Sequence, residues 1–103
     1  MRYYCKCCGY EEEAGSFLRS TCEECFSKLY IKVDGEYCLF EIKKAEDIEE
    51  GDEIYLPTLR KTFNVLGIRE TTKKWKEAIS IGYEGHRAIS YYLDELLICK
   101  TYN

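Results

Sequence analysis

Residues 29–42 read LYIKVDGEYCLFEI. Two apolar runs, 29–33 and 36–42, flank Asp34-Gly35. An Asp-Gly pair tolerates the positive φ angles of a type I′ turn, so this stretch predicts a β-hairpin. The chain changes character at the same point. Before it, cysteines are dense and apolar residues sparse. After it, short strand-like runs follow one another. The expected organisation is a small metal-bound unit over 1–33 packed on a β-structure over 34–103, within a chain of 103 residues that suffices for one domain or two very small ones.

Toward the C-terminus, KKAEDIEEGD (43–52) reads as one helical turn or a loop, ended at Gly51-Asp52. Residues 54–56 form a short strand stopped by Pro57, which cannot donate to a ladder. FNVLGI (63–68) is another strand, and 71–76 a turn. AISIGY (78–83) alternates, placing Ile79, Ile81 and Tyr83 on one face. Residues 88–92 form a further strand. Ile89, Tyr92, Leu93, Leu96 and Leu97 also fit a helical period, but a strand followed by a turn at Asp94-Glu95 is the reading adopted. Short strands with turn signals every 8–12 residues indicate a small all-β sandwich or barrel.

Toward the N-terminus lie YYCKCCGY (3–10) and TCEECFS (21–27). Cys5 and Cys8 form one CxxC pair, and Cys22 and Cys25 another. Two residues between thiolates let a tight turn aim both sulfurs at one point. Gly9 supplies the positive φ that ends such a turn. Two facing turns make a tetrahedral four-thiolate site with no open position, and so a structural zinc site. Seven cysteines could also mark a secreted disulfide scaffold. The odd count, the CxxC spacing and the lack of a signal-peptide pattern favour metal ligands in a reducing, cytoplasmic compartment. CKCC could ligate through Cys7 in place of Cys8, and the spacing favours Cys8. Cys38 and Cys99 read as small buried hydrophobes. A four-sulfur site also suits iron.

The first knuckle resembles that of rubredoxin-like zinc ribbons, in which an aromatic precedes CxxCGY. The resemblance spans 3–26 and implies a zinc ribbon with Cys5, Cys8, Cys22 and Cys25 as ligands. The second knuckle departs from the pattern, having no proline inside and no glycine after Cys25. The phrases IEEGDEIYL, FNVLGI, AISIGY and HRAISYYLDELLI resemble the strand order of small Src-homology-type barrels. That resemblance implies a module that binds peptides, proteins or nucleic acid. The fold class expected is therefore mainly β, a four-cysteine zinc ribbon packed on a small antiparallel β-barrel.

No apolar run approaches the roughly 20 residues of a membrane span. The formal charge is −4, against the basic balance of a general nucleic-acid coat. The mean hides an asymmetry: residues 1–53 carry seven basic and fourteen acidic side chains, and 54–103 carry eight basic and five acidic. The carboxylate runs Glu11–Glu13 and 46–50, on separate loops, read as solvated faces or as an acidic patch for a basic partner. His86, the one histidine, reads as a solvated turn residue without an oriented partner. No nucleophile–base pair, phosphate loop or paired acids appear, so no enzyme is expected.

TTKKWK (71–76) sets Lys73, Lys74 and Lys76 around Trp75, with Arg60, Lys61 and Arg69 near in sequence. Lysines engage phosphates and a ring can stack on a base. The same ring can anchor a protein interface, or fold back as a lid on the core. The leading expectation is a non-catalytic, zinc-stabilised binding module acting on a protein partner as adaptor or inhibitor, of a compactness that suits a phage or mobile element. The alternative is a nucleic-acid-binding protein using residues 60–76, and the third reading is electron transfer. No small-molecule substrate is inferred.

Overall fold

The computed structural model describes residues 1–15 and 17–101. The chain is mainly β. Among the described residues nine strands form in chain order: β1 Arg2–Tyr4, β2 Glu11–Glu13, β3 Tyr30–Lys32, β4 Leu39–Lys44, β5 Glu53–Leu56, β6 Lys61–Lys73, β7 Lys76–Tyr83, β8 His86–Tyr92 and β9 Leu96–Lys100. One turn of 3-10 helix, Ala45–Asp47, follows β4, where a helical turn or loop is expected. The strands join in the order β2-β1-β3-β4-β9-β5-β6-β7-β8. Every neighbouring pair is antiparallel. No pair joins β2 to β8 among the described residues, so the antiparallel structure is an open sheet. It passes unbroken through the β3–β4 connection, where the composition shifts.

The Asp34-Gly35 hairpin forms, but its register is set two residues farther out. Lys32 faces Leu39 and Ile31 faces Phe40. The Glu36 N–H donates to the Val33 carbonyl at 3.1 Å, and only Gly35 of the central pair has positive φ, at +83°. The turn is therefore not type I′, and residues 36–38 leave the ladder. A shift of two keeps every side chain on its original face, so Ile31 and Phe40 still meet in the core.

β5 and β9 explain how one sheet serves two cores. Along β5, Ile54, Tyr55 and Leu56 are all buried, the signature of a strand covered on both faces. Ile54, Leu56, Leu97 and Cys99 pack with Phe63, Val65, Ile79, Ile81, Tyr83 and Tyr91. Tyr55 and Ile98 point the other way, onto Tyr3, Leu29, Ile31, Phe40 and Ile42. The two cores thus lie on opposite faces of β5 and β9. Burying an isoleucine such as Ile54 or Ile98 contributes about 2–3 kcal/mol.

β6 bends to enclose the first core. Its pairing with β7 slips between Val65 and Gly67, leaving Leu66 as an extra, exposed residue, as a β-bulge does. Ile79, Ile81 and Tyr83 are buried on one face of β7, as their alternation predicts. Residues 88–99 are strand, turn and strand. The turn falls at Leu93-Asp94, one residue earlier than expected, closed by Glu95 N–H donating to the Tyr92 carbonyl at 3.1 Å. The Glu95 carboxylate also accepts from the Tyr92 N–H at 2.9 Å.

Candidate metal centre

β1 delivers Cys5 and the isolated Thr21–Lys28 bridge brackets Cys22 and Cys25. Both cysteine pairs fold into the same backbone device. In the first, the Gly9 N–H donates to the Cys5 carbonyl at 2.9 Å and the Cys5 N–H to the Tyr10 carbonyl at 2.9 Å. In the second, the Phe26 N–H donates to the Cys22 carbonyl at 2.9 Å and the Cys22 N–H to the Ser27 carbonyl at 2.8 Å. Gly9 ends its turn at φ +75°, and Phe26 takes the matching place at +62°. The missing second glycine is thus replaced by a phenylalanine in the same left-handed conformation.

The two turns bring the Sγ atoms of Cys5, Cys8, Cys22 and Cys25 within 4.8 Å of one another. Cys5 and Cys25 stand 3.5 Å apart, and Cys8 and Cys22 3.7 Å. Sulfurs at the corners of a tetrahedron with metal bonds of about 2.3 Å would be about 3.8 Å apart. The four cysteines can therefore hold a metal ion. Cys7 is exposed and outside the cluster, and Cys38 is half-buried and Cys99 buried away from it.

The donor set suits a cation. Hydrogen bonds from the Ser27 side chain and then its backbone N–H hold the Cys25 thiol down to about 6. The Tyr10 backbone pulls the Cys8 thiol the same way. Desolvation and the neighbouring Cys25, Cys5 and Cys22 outweigh it and push Cys8 up to about 12. Four sulfurs this close resist sharing negative charge, and a divalent cation removes that resistance.

Arg19 is a structural residue that the sequence reading missed. Its guanidinium lies 4.7 Å over the Tyr3 ring and donates to the Glu12 carboxylate at 2.8 Å and the Tyr10 hydroxyl at 3.3 Å. Tyr10 in turn donates to Glu12. The Arg19 N–H donates to the Tyr3 hydroxyl at 3.1 Å. Arg19 so ties the connection between the knuckles to β1 and β2. Its signal in the sequence is that it is the one basic residue between Cys8 and Cys22.

The remaining candidates fall in several places. Arg60 and Lys61 stand at the start of β6, and Lys73, Lys74, Trp75 and Lys76 at its far end and turn. The structure does not bring the two groups together. Trp75 is 101% exposed, so it is not a lid on the core. Lys74 and Trp75 form the two-residue turn between β6 and β7, at φ +50° and +69°, and Lys73 pairs with Lys76. The turn is shorter than the expected 71–76, because the ladder runs out to Lys73.

Glu11–Glu13 are not a loop but the edge strand β2, with Glu11 3.1 Å from Lys32 and 3.9 Å from Arg2. His86 is half-buried at the start of β8, its ring 5.4 Å from Phe63. It thus packs on Phe63 while staying partly open to solvent. Among the described residues no helix is long and apolar enough to cross a membrane. No family model, curated protein or solved structure matches the chain.

Proposed function

We propose that the protein is a non-catalytic, zinc-stabilised binding module that presents the tip of the β6–β7 hairpin to a macromolecular partner. One observation carries this reading: the chain's single tryptophan sits fully exposed in a two-residue turn whose residues both have positive φ. Two-residue hairpins of this kind favour Asn-Gly or Gly-Gly. A non-glycine residue in the left-handed region costs about 1 kcal/mol or more, and local strain of this sort gathers at functional sites. Stability alone would select neither Lys74 nor Trp75 here.

The metal supports this role at a distance. Four thiolates close a tetrahedral shell, leaving no position for a substrate, and zinc suits such a site structurally. Cys5, Cys8, Cys22 and Cys25 would hold it, joining β1 to the segment that leads into β3. Both partner classes expected from the sequence, a protein held in an adaptor or inhibitor role and a nucleic acid, would use the same tip.

The test is native mass spectrometry of the protein purified from its host, with metal analysis, beside the Trp75→Ala variant. One zinc per chain is expected, with a partner that the variant loses while keeping its fold. A red, iron-loaded protein would favour electron transfer. A variant that keeps the partner in full would remove the hairpin from the site.

A further inference from the structure

The pairing of β6, β7 and β8 sorts their side chains onto two faces. Paired residues share a face, and the face alternates along each strand. On one face, Ile68 pairs with Ile81 and Ile81 in turn with Ile89, while Glu70 pairs with Ile79 and Ile79 in turn with Tyr91. That face covers the core. On the other, Lys73 pairs with Lys76, Thr71 with Ala78 and Ala78 in turn with Tyr92, and Arg69 with Ser80 and Ser80 in turn with Ser90. Gly67 and Gly82 complete it, with Ala88 beside them around a shallow trough of about 210 Å³.

This outer face carries no carboxylate of its own, in a chain whose net charge is −4. It carries Arg69, Lys73 and Lys76, with Lys74 at the turn. Lys73 lies 4.8 Å from the centre of the Tyr92 ring and Lys76 6.0 Å. Among the described residues, Lys73 alone of these cations meets a carboxylate, Glu95 at 3.5 Å. Beyond the lysines stands Trp75. Below Arg69 the surface is glycine, alanine and serine, which let a chain lie close to the sheet.

Resting on the hairpin reading above, we infer that the outer face of β6–β8 binds a single-stranded nucleic acid. Arg69, Lys73, Lys74 and Lys76 would meet its phosphates, and Trp75 would stack on a base at the tip. A sheet that combines aromatic platforms with flanking cations is a recurrent solution for unpaired bases, whose faces are open to stacking. Such a strand would cross Arg69, Tyr92 and the lysine pair, and would not reach Arg60 and Lys61.

Trp75 reports on its own site, because stacking on a base quenches indole fluorescence and no other tryptophan is present. The probes are oligo(dT) and oligo(rU) of about 12 nucleotides, within the usual site size of single-strand binders, and a duplex of equal length, titrated into the zinc-loaded full chain. Quenching by one or both single strands is expected, and a difference between them tells DNA from RNA. With about four phosphate contacts, affinity should fall roughly fifty-fold between about 50 and 200 mM salt. Arg69→Glu and Lys76→Glu should each weaken binding about tenfold, while Lys32→Glu, on β3, should change it less than about twofold.

Absence of binding at low salt overturns the inference. So does equal affinity for the duplex, and so does an equal loss with Lys32→Glu, which would mean that net charge alone is at work. A nuclease-resistant protein partner lost in Trp75→Ala, with no oligonucleotide bound, overturns this inference and leaves the hairpin reading standing. A partner that Trp75→Ala retains overturns the hairpin reading instead.

Discussion

In the first knuckle the left-handed residue is Gly9, and in the second it is Phe26, 80% exposed and at φ +62°. Phe26 gains little from packing and carries the steric cost that glycine avoids. Phe26→Gly should therefore stabilise the metal-loaded protein by about 1 kcal/mol, read as a higher denaturant midpoint; a lower midpoint would mean that the ring packs to advantage. A second pair of residues sets a limit at high pH. The hydroxyls of Tyr83 and Tyr91 meet at 2.8 Å inside the core, and burial pushes both above the ordinary tyrosine range. In the unfolded chain they ionise near pH 10, while the folded chain keeps them neutral. Their contribution is whole below about pH 10 and is lost as pH rises above it. Stability should fall more steeply between about pH 9 and 11 in the native protein than in the Tyr83→Phe, Tyr91→Phe double variant. At this scale the clustering of Cys5, Cys8, Cys22 and Cys25 was legible, because CxxC spacing is a local property of the chain. Phe26 and Arg19 were not: a phenylalanine at positive φ leaves no mark in sequence, and Arg19 acts through Tyr3, Tyr10 and Glu12, which only the fold gathers.

The β6–β7 hairpin shows what an element does with strain. Replacing Lys74-Trp75 by Asn-Gly installs the residues that its turn geometry prefers. The variant should gain about 1–2 kcal/mol in denaturant unfolding and lose the partner proposed above; a variant that is no more stable would show that Trp75 contributes to the fold. A gain in stability set against lost function is the common cost at such sites. Much of the element pattern was legible. The stop at Pro57, the alternation of Ile79, Ile81 and Tyr83, and the strand–turn–strand reading of 88–99 all rest on local chemistry. Two boundaries moved for non-local reasons. β6 runs to Lys73 because β7 pairs with it that far, and the hairpin at Gly35 opens by two residues because Phe40 is held against Ile31. The bulge at Leu66 has no signal beyond the following glycine.

Across the whole molecule, the cysteine centre and the first core are separated by β5 and β9. Cys5 and Cys22 belong to the core with Tyr3, Leu29 and Phe40, whereas the core around Ile81 contains none of the four clustered cysteines. Stripping the metal with a chelator should therefore speed amide exchange across β1–β3 and leave β6 and β7 protected, since local stability follows local contacts. Uniform loss of protection would mean that the two cores unfold as one. The strand order was the least legible part, because β4 and β5 are joined through β9, which lies forty residues or more later in the chain. That placement has a consequence for synthesis. As the chain leaves the ribosome, N-terminal first, the cysteine site can close and the β6–β8 ribbon can form by local pairing. Yet the seam between them stays empty until Leu96–Lys100 emerges. Until then the two halves are neighbours on a string, and the arrival of β9 makes them a single body.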